Sequence, residues 1–163
     1  MNGFIFRSFR VRIVTVSVSF LLCLTPSVYA DFHGKVVGVI DGDSIRVMRN
    51  GKAERIRLQG IDCPKKKQAF GTRAKQFTSE MVFGKYVTVK EAGRDHYGRT
   101  LGDVLLSDGR NLNHELLKAG YAWWYRQYSK DASLGDLEDG ARLAQRGLWA
   151  DPEPVPPWEW RKR

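Results

Sequence analysis

Short runs rich in valine and isoleucine, separated by turn residues, constrain the fold of this chain more than any other feature. The runs KVVGVI, SIRVMRN, KAERIRLQGI and KYVTVKEA alternate in part between apolar and polar residues, as strands with one buried face do. Asn50-Gly51, between the second and third runs, is the strongest short hairpin signal and predicts that they pair antiparallel. LGDVLL, which the turn SDG follows, is predicted as a fifth strand.

Helical spacing lies between and after these strands. Phe70, Ala74, Phe77 and Met81 fall on one helical face, and Gly84 is placed to end that helix. A second helix is predicted from about 113, with the asparagine there as its cap, to 120, and a third over about 134–146. The sequence thus predicts a mainly β fold with helices (α+β), a closed five-stranded barrel of the OB type with three helices.

The first thirty residues follow the pattern of a secretory signal peptide. Arg7, Arg10 and Arg12 precede the apolar run IVTVSVSFLLCL, and Ala30 ends a small-residue exit, so cleavage after Ala30 is predicted. An uncleaved anchor is the alternative, but the run is shorter than the roughly 20 residues that a spanning helix needs. Export to the periplasm or the medium follows, with no stable membrane insertion after cleavage.

The mature chain is predicted to be one domain over 31–150 with a C-terminal tail over 151–163. Three arginines and no acids leave with the signal, so the formal net charge falls from +9 to +6 and still attracts polyanions. Only Cys63 remains, so stability must come from packing rather than from an internal disulfide. The tail, DPEPVPPWEWRKR, is either docked or loose, because its prolines cannot join a ladder or a helix interior.

Two acids lie at the ends of predicted strands, where their carboxylates can meet. Asp43 lies in IDGDS at a strand junction, and Asp62 lies in GIDCP at the end of another strand. If these strands are neighbours, the two carboxylates converge on one hard cation, which prefers oxygen ligands. The alternative is that DGD is only a turn and that Asp62 caps a bend.

Two arginines strengthen the functional interpretation. Arg57 lies on the strand leading to Asp62, and Arg99 lies in the polar loop RDHYGRTL. Guanidinium groups bind phosphate oxygens in pairs, so two of them beside a metal would hold a phosphodiester and stabilise its transition state. Each arginine taken alone is also explained as an outward strand residue or a solvated loop charge.

The motifs VIDGDSIRV, RIRLQGIDCP, RDHYGRTL and NHELLKAGYAW, in this order and at this spacing, resemble the staphylococcal nuclease family over about 35–149. The resemblance implies a five-stranded barrel with three helices that cuts DNA and RNA with Ca²⁺. It implies Asp43 and Asp62 as carboxylate ligands of Ca²⁺, and Cys63 as a ligand through its backbone carbonyl.

The resemblance also assigns residues to the substrate. It implies Arg57 and Arg99 as phosphate-binding catalytic residues and Tyr97 as a neighbour of a substrate phosphate. Lys66 is predicted to attract phosphate. Tyr125, in YAWWYRQY, is predicted to stack on bases of a single strand, although core packing explains this aromatic segment equally well.

One position departs from the family. The glutamate that is thought to act as general base is replaced by Lys65, in GIDCPKKKQAF. An ammonium has no lone pair to accept a proton, and the reference pKa of lysine is about 10.4. Cys63 to Ser79 contain no acid that could take over. We therefore expect impaired catalysis, weaker Ca²⁺ binding and undiminished or stronger nucleic-acid binding.

The sequence therefore predicts an exported, monomeric, Ca²⁺-dependent nuclease that hydrolyses DNA or RNA, with single strands preferred, by in-line attack of water. The first alternative is a non-catalytic OB-fold protein that binds single-stranded nucleic acid. The second is a cell-surface interaction module that uses the basic face and the tail. Lys65 favours the first alternative, and little in the sequence favours the second.

Overall fold

The computed structural model describes residues 30–163. The prediction of a signal peptide therefore lies outside the described residues. Within them, no helix has the length and apolar character needed to cross a bilayer.

Five strands close into a barrel in the order β1, β2, β3, β6, β5. They are β1 (Phe32–Asp41), β2 (Ser44–Arg49), β3 (Lys52–Leu58), β5 (Tyr86–Arg94) and β6 (Thr100–Leu105). All neighbours pair antiparallel except β3 and β6, which pair parallel. The predicted barrel is confirmed, and its five strands are the five that the apolar runs indicate.

The β2–β3 hairpin sets the register on which the site depends. Asn50 and Gly51 have φ angles of 50° and 79°, the left-handed conformation that a two-residue hairpin turn requires. Arg49 therefore pairs with Lys52, and the same register continues to a pair between Ser44 and Arg57 at the other end. The tight turn thus places Arg57 of β3 opposite Ser44, the residue that follows Asp43.

Two further strands lie outside the barrel. β4 (Ile61–Asp62) and β7 (Trp123–Trp124) form a short antiparallel pair in which Asp62 is opposite Trp123. This pair joins the segment after β3 to the aromatic segment near the C-terminal helices. It holds Asp62 in a fully buried position.

The main helices are α1 (Gly71–Val82), α2 (Leu112–Lys118) and α3 (Ala132–Leu143). α1 lies against β1, and α2 packs on α3. The predicted cap of α2 is wrong by two residues, because Asn111 caps the helix by accepting the backbone N–H of Asn113. α3 begins two residues before the predicted start, since Asp131 caps it in the same way.

The core has two parts. The larger fills the barrel and extends under α1 and α2, and the smaller consists of Trp123, Ala141, Leu148 and Trp149 with Phe70 and Trp158 packed on it. The smaller cluster lies between the barrel domain and the chain that follows a 3-10 helix at Gly147–Ala150. A large aromatic surface is therefore available for the C-terminal segment to pack on.

The C-terminal segment is docked. It ends in a short helix, α4 (Pro157–Trp160), whose proline stands at the first helical position, where the missing N–H costs no hydrogen bond. The side-chain amide of Gln68 donates to the carbonyl of Val155 at 2.6 Å. Trp158 packs on Tyr125, with the ring centroids 5.2 Å apart and the planes 3° apart. Of the two alternatives for the tail, the structure shows the docked one.

Candidate active site

Asp43 and Asp62 come together at one end of the barrel. Asp43 lies in the turn between β1 and β2, and Asp62 ends β4. The backbone N–H of Leu58 donates to the carbonyl of Asp43 at 2.9 Å, and the backbone N–H of Cys63 donates to Asp43 Oδ2 at 2.7 Å. These bonds fix both ends of the segment from β3 to β4 against the turn, so the two carboxylates face each other.

The side chain of Lys65 lies between the two carboxylates. Its Nζ is 3.2 Å from Asp43 Oδ2 and 3.1 Å from Asp62 Oδ1. The backbone N–H of Lys65 donates to Gln68 Oε1 at 3.1 Å, which fixes the loop that carries it. The sequence context of Lys65 suggests an exposed loop lysine. In the structure, only 27% of its side chain is accessible, and its ammonium contacts a carboxylate on each of two sides.

Arg57 holds the same carboxylates from the barrel side. Its Nη1 lies 3.0 Å from Asp43 Oδ2, and its Nη2 lies 3.0 Å from Asp62 Oδ1. Nη1 also donates to the carbonyl of Leu58 at 3.1 Å. The predicted phosphate-binding arginine is thus buried, and much of its hydrogen-bonding capacity is directed to the two acids.

Arg161 of the tail completes the cluster, and sequence reasoning missed it. Its Nη2 lies 2.9 Å from Asp62 Oδ2, and its Nη1 lies 3.4 Å from Asp62 Oδ1. The two residues are 99 positions apart, and the only signal was that a tail with two tryptophans is unusually apolar for a loose end. We call Asp43, Asp62, Arg57, Lys65 and Arg161 the carboxylate cluster.

The charges of the carboxylate cluster shift one another's titration. Burial opposes ionisation of Asp43, but Arg57 and Lys65 outweigh it and hold the pKa of Asp43 well below its usual range. Burial acts to lower the pKa of Lys65, but Asp43 and Asp62 outweigh it, so that pKa is raised. Burial and the nearby Asp43 carboxylate raise the pKa of Asp41 to about 6. Lys65 is therefore held in the charged form and cannot serve as a base near neutral pH.

The residues of the cluster do not fit a Ca²⁺ ion in this arrangement. Ca²⁺ takes about 6 to 8 oxygen ligands. Both oxygens of Asp62, and Oδ2 of Asp43, already accept from Lys65, Arg57 or Arg161, and Asp43 Oδ1 accepts from Ser44 at 3.1 Å. Across residues 30–163, no group of three or more histidine, cysteine or acidic side chains is arranged to hold a metal.

Cys63 lies beside the cluster without contributing its thiol. The residue is fully buried, and burial raises the pKa of the thiol well above its usual value. Its observed polar contact is the backbone N–H bond to Asp43 Oδ2. Its role as a carbonyl ligand of a metal stays a prediction.

Arg99 and Tyr97 lie in the loop between β5 and β6. Nε of Arg99 lies 2.7 Å from Asp95 Oδ2, and its guanidinium lies 5.5 Å from the centre of the Tyr97 ring. Arg57 pairs with Leu101 in the parallel β3–β6 ladder, and Leu101 is two residues after Arg99 in the chain. Tyr97 is 72% exposed. Arg99 makes no ion pair with the two cluster acids among the described residues.

The two remaining predicted substrate residues, Lys66 and Tyr125, have different surroundings. Lys66 is exposed on the loop beside Lys65. Tyr125 is covered on one face by Trp158, and its ring also contacts Tyr128, which is 71% exposed. Trp123 is buried, as the core interpretation of the aromatic segment predicts. Of Tyr97, Tyr125 and Tyr128, the first and the last are largely exposed.

Comparison with known proteins agrees with the resemblance. The family model described as "Staphylococcal nuclease homologue" matches residues 55–151. An uncharacterized endonuclease of Escherichia coli is 51% identical over 138 residues, which are 85% of this chain and 90% of that protein. A micrococcal nuclease of Shigella flexneri is 40% identical, covering 90% of each chain. The protein ParB of Escherichia coli is 39% identical, covering 96% of this chain and 93% of its own. This chain therefore belongs to the staphylococcal nuclease family.

Proposed function

We propose that this protein is an exported endonuclease that hydrolyses phosphodiester bonds of DNA or RNA slowly, by in-line attack of water. Membership of the family and the nuclease names of its relatives support an endonuclease. The observation that carries the proposal is the convergence of Arg57, Lys65 and Arg161 on two buried acids. The family resemblance adds Arg99, which is two residues before Leu101, the β6 partner of Arg57. This end of the barrel concentrates phosphate-binding cations at one place.

The proposed reaction uses these cations to stabilise charge. The scissile phosphate binds with its oxygens facing the partly exposed ammonium of Lys65 and the guanidinium of Arg99. The oxygen of a water molecule forms a bond to phosphorus while the bond to the leaving sugar oxygen breaks. The water loses one proton to solvent, and the leaving oxygen takes one up. Positive groups aimed at the developing charge are commonly the largest contribution to such a reaction.

Slow turnover follows from Lys65. A positioned general base is worth about 10² to 10⁴ in rate, and the ammonium of Lys65 cannot supply it. The Ca²⁺ requirement stays a prediction of the family resemblance. We derive no step through a metal, because the carboxylate oxygens already accept from the cations of the cluster.

Export, the preference for single strands and the monomeric state are each supported by a separate observation. β1 begins at Phe32, so cleavage after Ala30 would leave the barrel whole, which supports export. The exposed rings of Tyr97 and Tyr128 offer stacking surfaces for unpaired bases, which supports a preference for single strands. The barrel is closed and offers no free strand edge of its own, which supports a monomer.

The alternative function, a non-catalytic binder of single strands, is favoured by one observation. Lys65 occupies the position of the base and is held there by both Asp43 and Asp62. A site of this kind binds phosphate without activating water. The two functions differ in whether any cleavage occurs.

The test is cleavage of a labelled single-stranded oligonucleotide by residues 31–163, with Ca²⁺ and with a chelator. The comparison is with Lys65→Glu, and the control is Lys52→Glu, which makes the same charge change at the exposed first residue of β3. Slow cleavage by the unmodified chain, faster by about 10² to 10⁴ in Lys65→Glu with Ca²⁺ but not in the control, is expected. If Lys65→Glu cleaves the oligonucleotide and the unmodified chain does not, the alternative function, a non-catalytic binder of single strands, is favoured. Cleavage by neither would show that the site is assigned wrongly.

A further inference from the structure

We propose that Lys65 and Arg161 replace a divalent cation in this protein, so that the carboxylate cluster binds a phosphodiester without any metal. The inference rests on the proposed function, because it concerns the same site. It differs from the family resemblance, which implies a Ca²⁺ ion between Asp43 and Asp62. It also gives the C-terminal tail a part in substrate binding.

The position of the Lys65 ammonium is that of a bridging cation. Its nitrogen lies 3.2 Å from an oxygen of Asp43 and 3.1 Å from an oxygen of Asp62. An ammonium has three N–H donors, and two carboxylates engage two of them. The side chain retains 27% of its accessible surface, so a third donor can reach a phosphate oxygen from solvent.

Arg161 is brought to the cluster by contacts that do not depend on its charge. Trp158 stacks on Tyr125 and also meets Trp123 edge to face, at 5.7 Å between centroids. The hydrogen bond from Gln68 to Val155 anchors the same segment. The tail therefore holds the guanidinium over Asp62, and 42% of the Arg161 side chain stays exposed.

The charges of the cluster agree with a replacement. Asp41 lies outside the cluster but close enough to act on its charges. Without Lys65 and Arg161, the carboxylates of Asp41, Asp43 and Asp62 would be opposed by Arg57 of the cluster, and the net negative charge would attract a divalent cation. Lys65 and Arg161 together add the two positive charges that such a cation carries. A metal ion would have to displace both of them and would gain little from a group that is already neutralised.

Phosphate binding follows from the donors that remain. Arg161 has five N–H groups, and the two bonds to Asp62 leave others for a ligand. A guanidinium and an ammonium at the same rim present charge-assisted donors to the two free oxygens of a phosphodiester. The acids fix these donors in place, so little side-chain freedom is lost when the phosphate binds.

The experiment measures Ca²⁺ binding and oligonucleotide binding separately on residues 31–163. Calorimetry titrates Ca²⁺ into the protein, and fluorescence anisotropy follows a labelled oligothymidylate at one ionic strength, with chelator or with Ca²⁺. The variants are Lys65→Met and Arg161→Gln, singly and together, and the control is Lys52→Met. Unfolding curves for every variant show that the barrel is intact.

The proposal predicts no Ca²⁺ binding heat for the unmodified chain and the same oligonucleotide affinity in both solutions. Each cluster variant should weaken binding in chelator about tenfold, the loss of one charge-assisted contact, while the control changes little. The double variant should gain Ca²⁺ binding, because two charges of the replacement are gone. The titration of the unmodified chain stands even if a variant unfolds.

Three results would overturn the proposal. The first is Ca²⁺ binding by the unmodified chain together with oligonucleotide binding only when Ca²⁺ is present. This result would reject the replacement of the cation by Lys65 and Arg161, but it would leave the proposed nuclease as a metal-dependent enzyme. Binding in chelator that neither variant weakens beyond the control would place the phosphate elsewhere on the basic surface. Absence of oligonucleotide binding in both solutions would reject the inference and the proposed function together.

Discussion

Removing the Lys65 ammonium should destabilise the folded protein, because it leaves two buried acids with fewer partners. We consider Lys65→Met, which keeps the length and apolar stem of the side chain. Asp43 and Asp62 are fully buried, whereas 27% of the lysine side chain is accessible. The ion pairs of Lys65 with Asp43 and Asp62 are therefore intermediate in burial between exposed and fully buried ion pairs.

The magnitude follows from that position. Breaking a fully buried pair costs about 3–5 kcal/mol, and an exposed pair is worth about 0–1 kcal/mol. Arg57 still contacts both acids in the variant, which limits the loss. We expect the free energy of unfolding at neutral pH to fall by about 2 kcal/mol, which lowers Tm by about 8 °C for a domain of this size.

The pH dependence gives a second check with a definite sign. The pKa of Asp43 is lowered by folding, so its contribution is present above the ordinary value of about 3.9 and is lost as the pH falls. The pKa of Lys65 is raised, so its contribution is present below about 10.4 and is lost as the pH rises through the higher folded value. Asp41, which Lys65 also favours in its ionised form, has a pKa of about 6, so its share of the difference is lost below that pH. The difference between the two proteins should be largest from about pH 7 to 9 and shrink on both sides.

The assay is urea unfolding of the unmodified chain, Lys65→Met and the control Lys52→Met across this pH range. The reasoning is refuted if Lys65→Met matches the control at neutral pH. It is refuted equally if the difference grows as the pH falls below the ordinary pKa of the acids. Either result would mean that the ammonium is not held between the two carboxylates in solution.

Three further predictions concern other parts of the molecule. Asn113→Ala should lower the free energy of unfolding by about 2 kcal/mol in urea, because the buried amide donates to the carbonyl of Gln59 at 3.0 Å and that acceptor would be left unpaired. Arg99→Gln should lower kcat/KM about 10²-fold without moving the urea midpoint, and an unchanged rate would remove Arg99 from the site. Trp158→Ala should release the tail from Tyr125 and raise the rate of proteolysis after residue 151, while equal protection would show that other contacts hold it.

The barrel is predictable because its determinants are local. Asn50 and Gly51 require a tight turn, and the alternation on either side sets which residues face inward. The same turn fixes Arg57 beside Asp43, so the proximity of an arginine and an acid follows from the register. The caps of α2 and α3 were harder, since Asn111 and Asn113 both fit a cap, and only the structure shows that the second is buried.

The arrangement of the cluster was not predictable from spacing. The direction of the Lys65 side chain depends on two acids, one of them 22 residues earlier in the chain. Arg161 reaches Asp62 only because Trp158 finds a partner in Tyr125, and such long-range apolar contacts leave no periodic signal in a short tail. The sequence pointed to Asp43, Asp62, Arg57 and Lys65, but not to Arg161 and not to the ion pairs among these side chains.

The central claim, that the Lys65 ammonium occupies the place of a cation between Asp43 and Asp62, is tested most directly by heteronuclear NMR of the lysine ammonium groups. The Lys65 signal is assigned as the one that disappears in Lys65→Met. The account predicts a slowly exchanging ammonium signal in chelator that stays unchanged when Ca²⁺ is added. A fast-exchanging signal in chelator, or one that is lost or shifted by Ca²⁺ at the affinity of a bound metal, would contradict it.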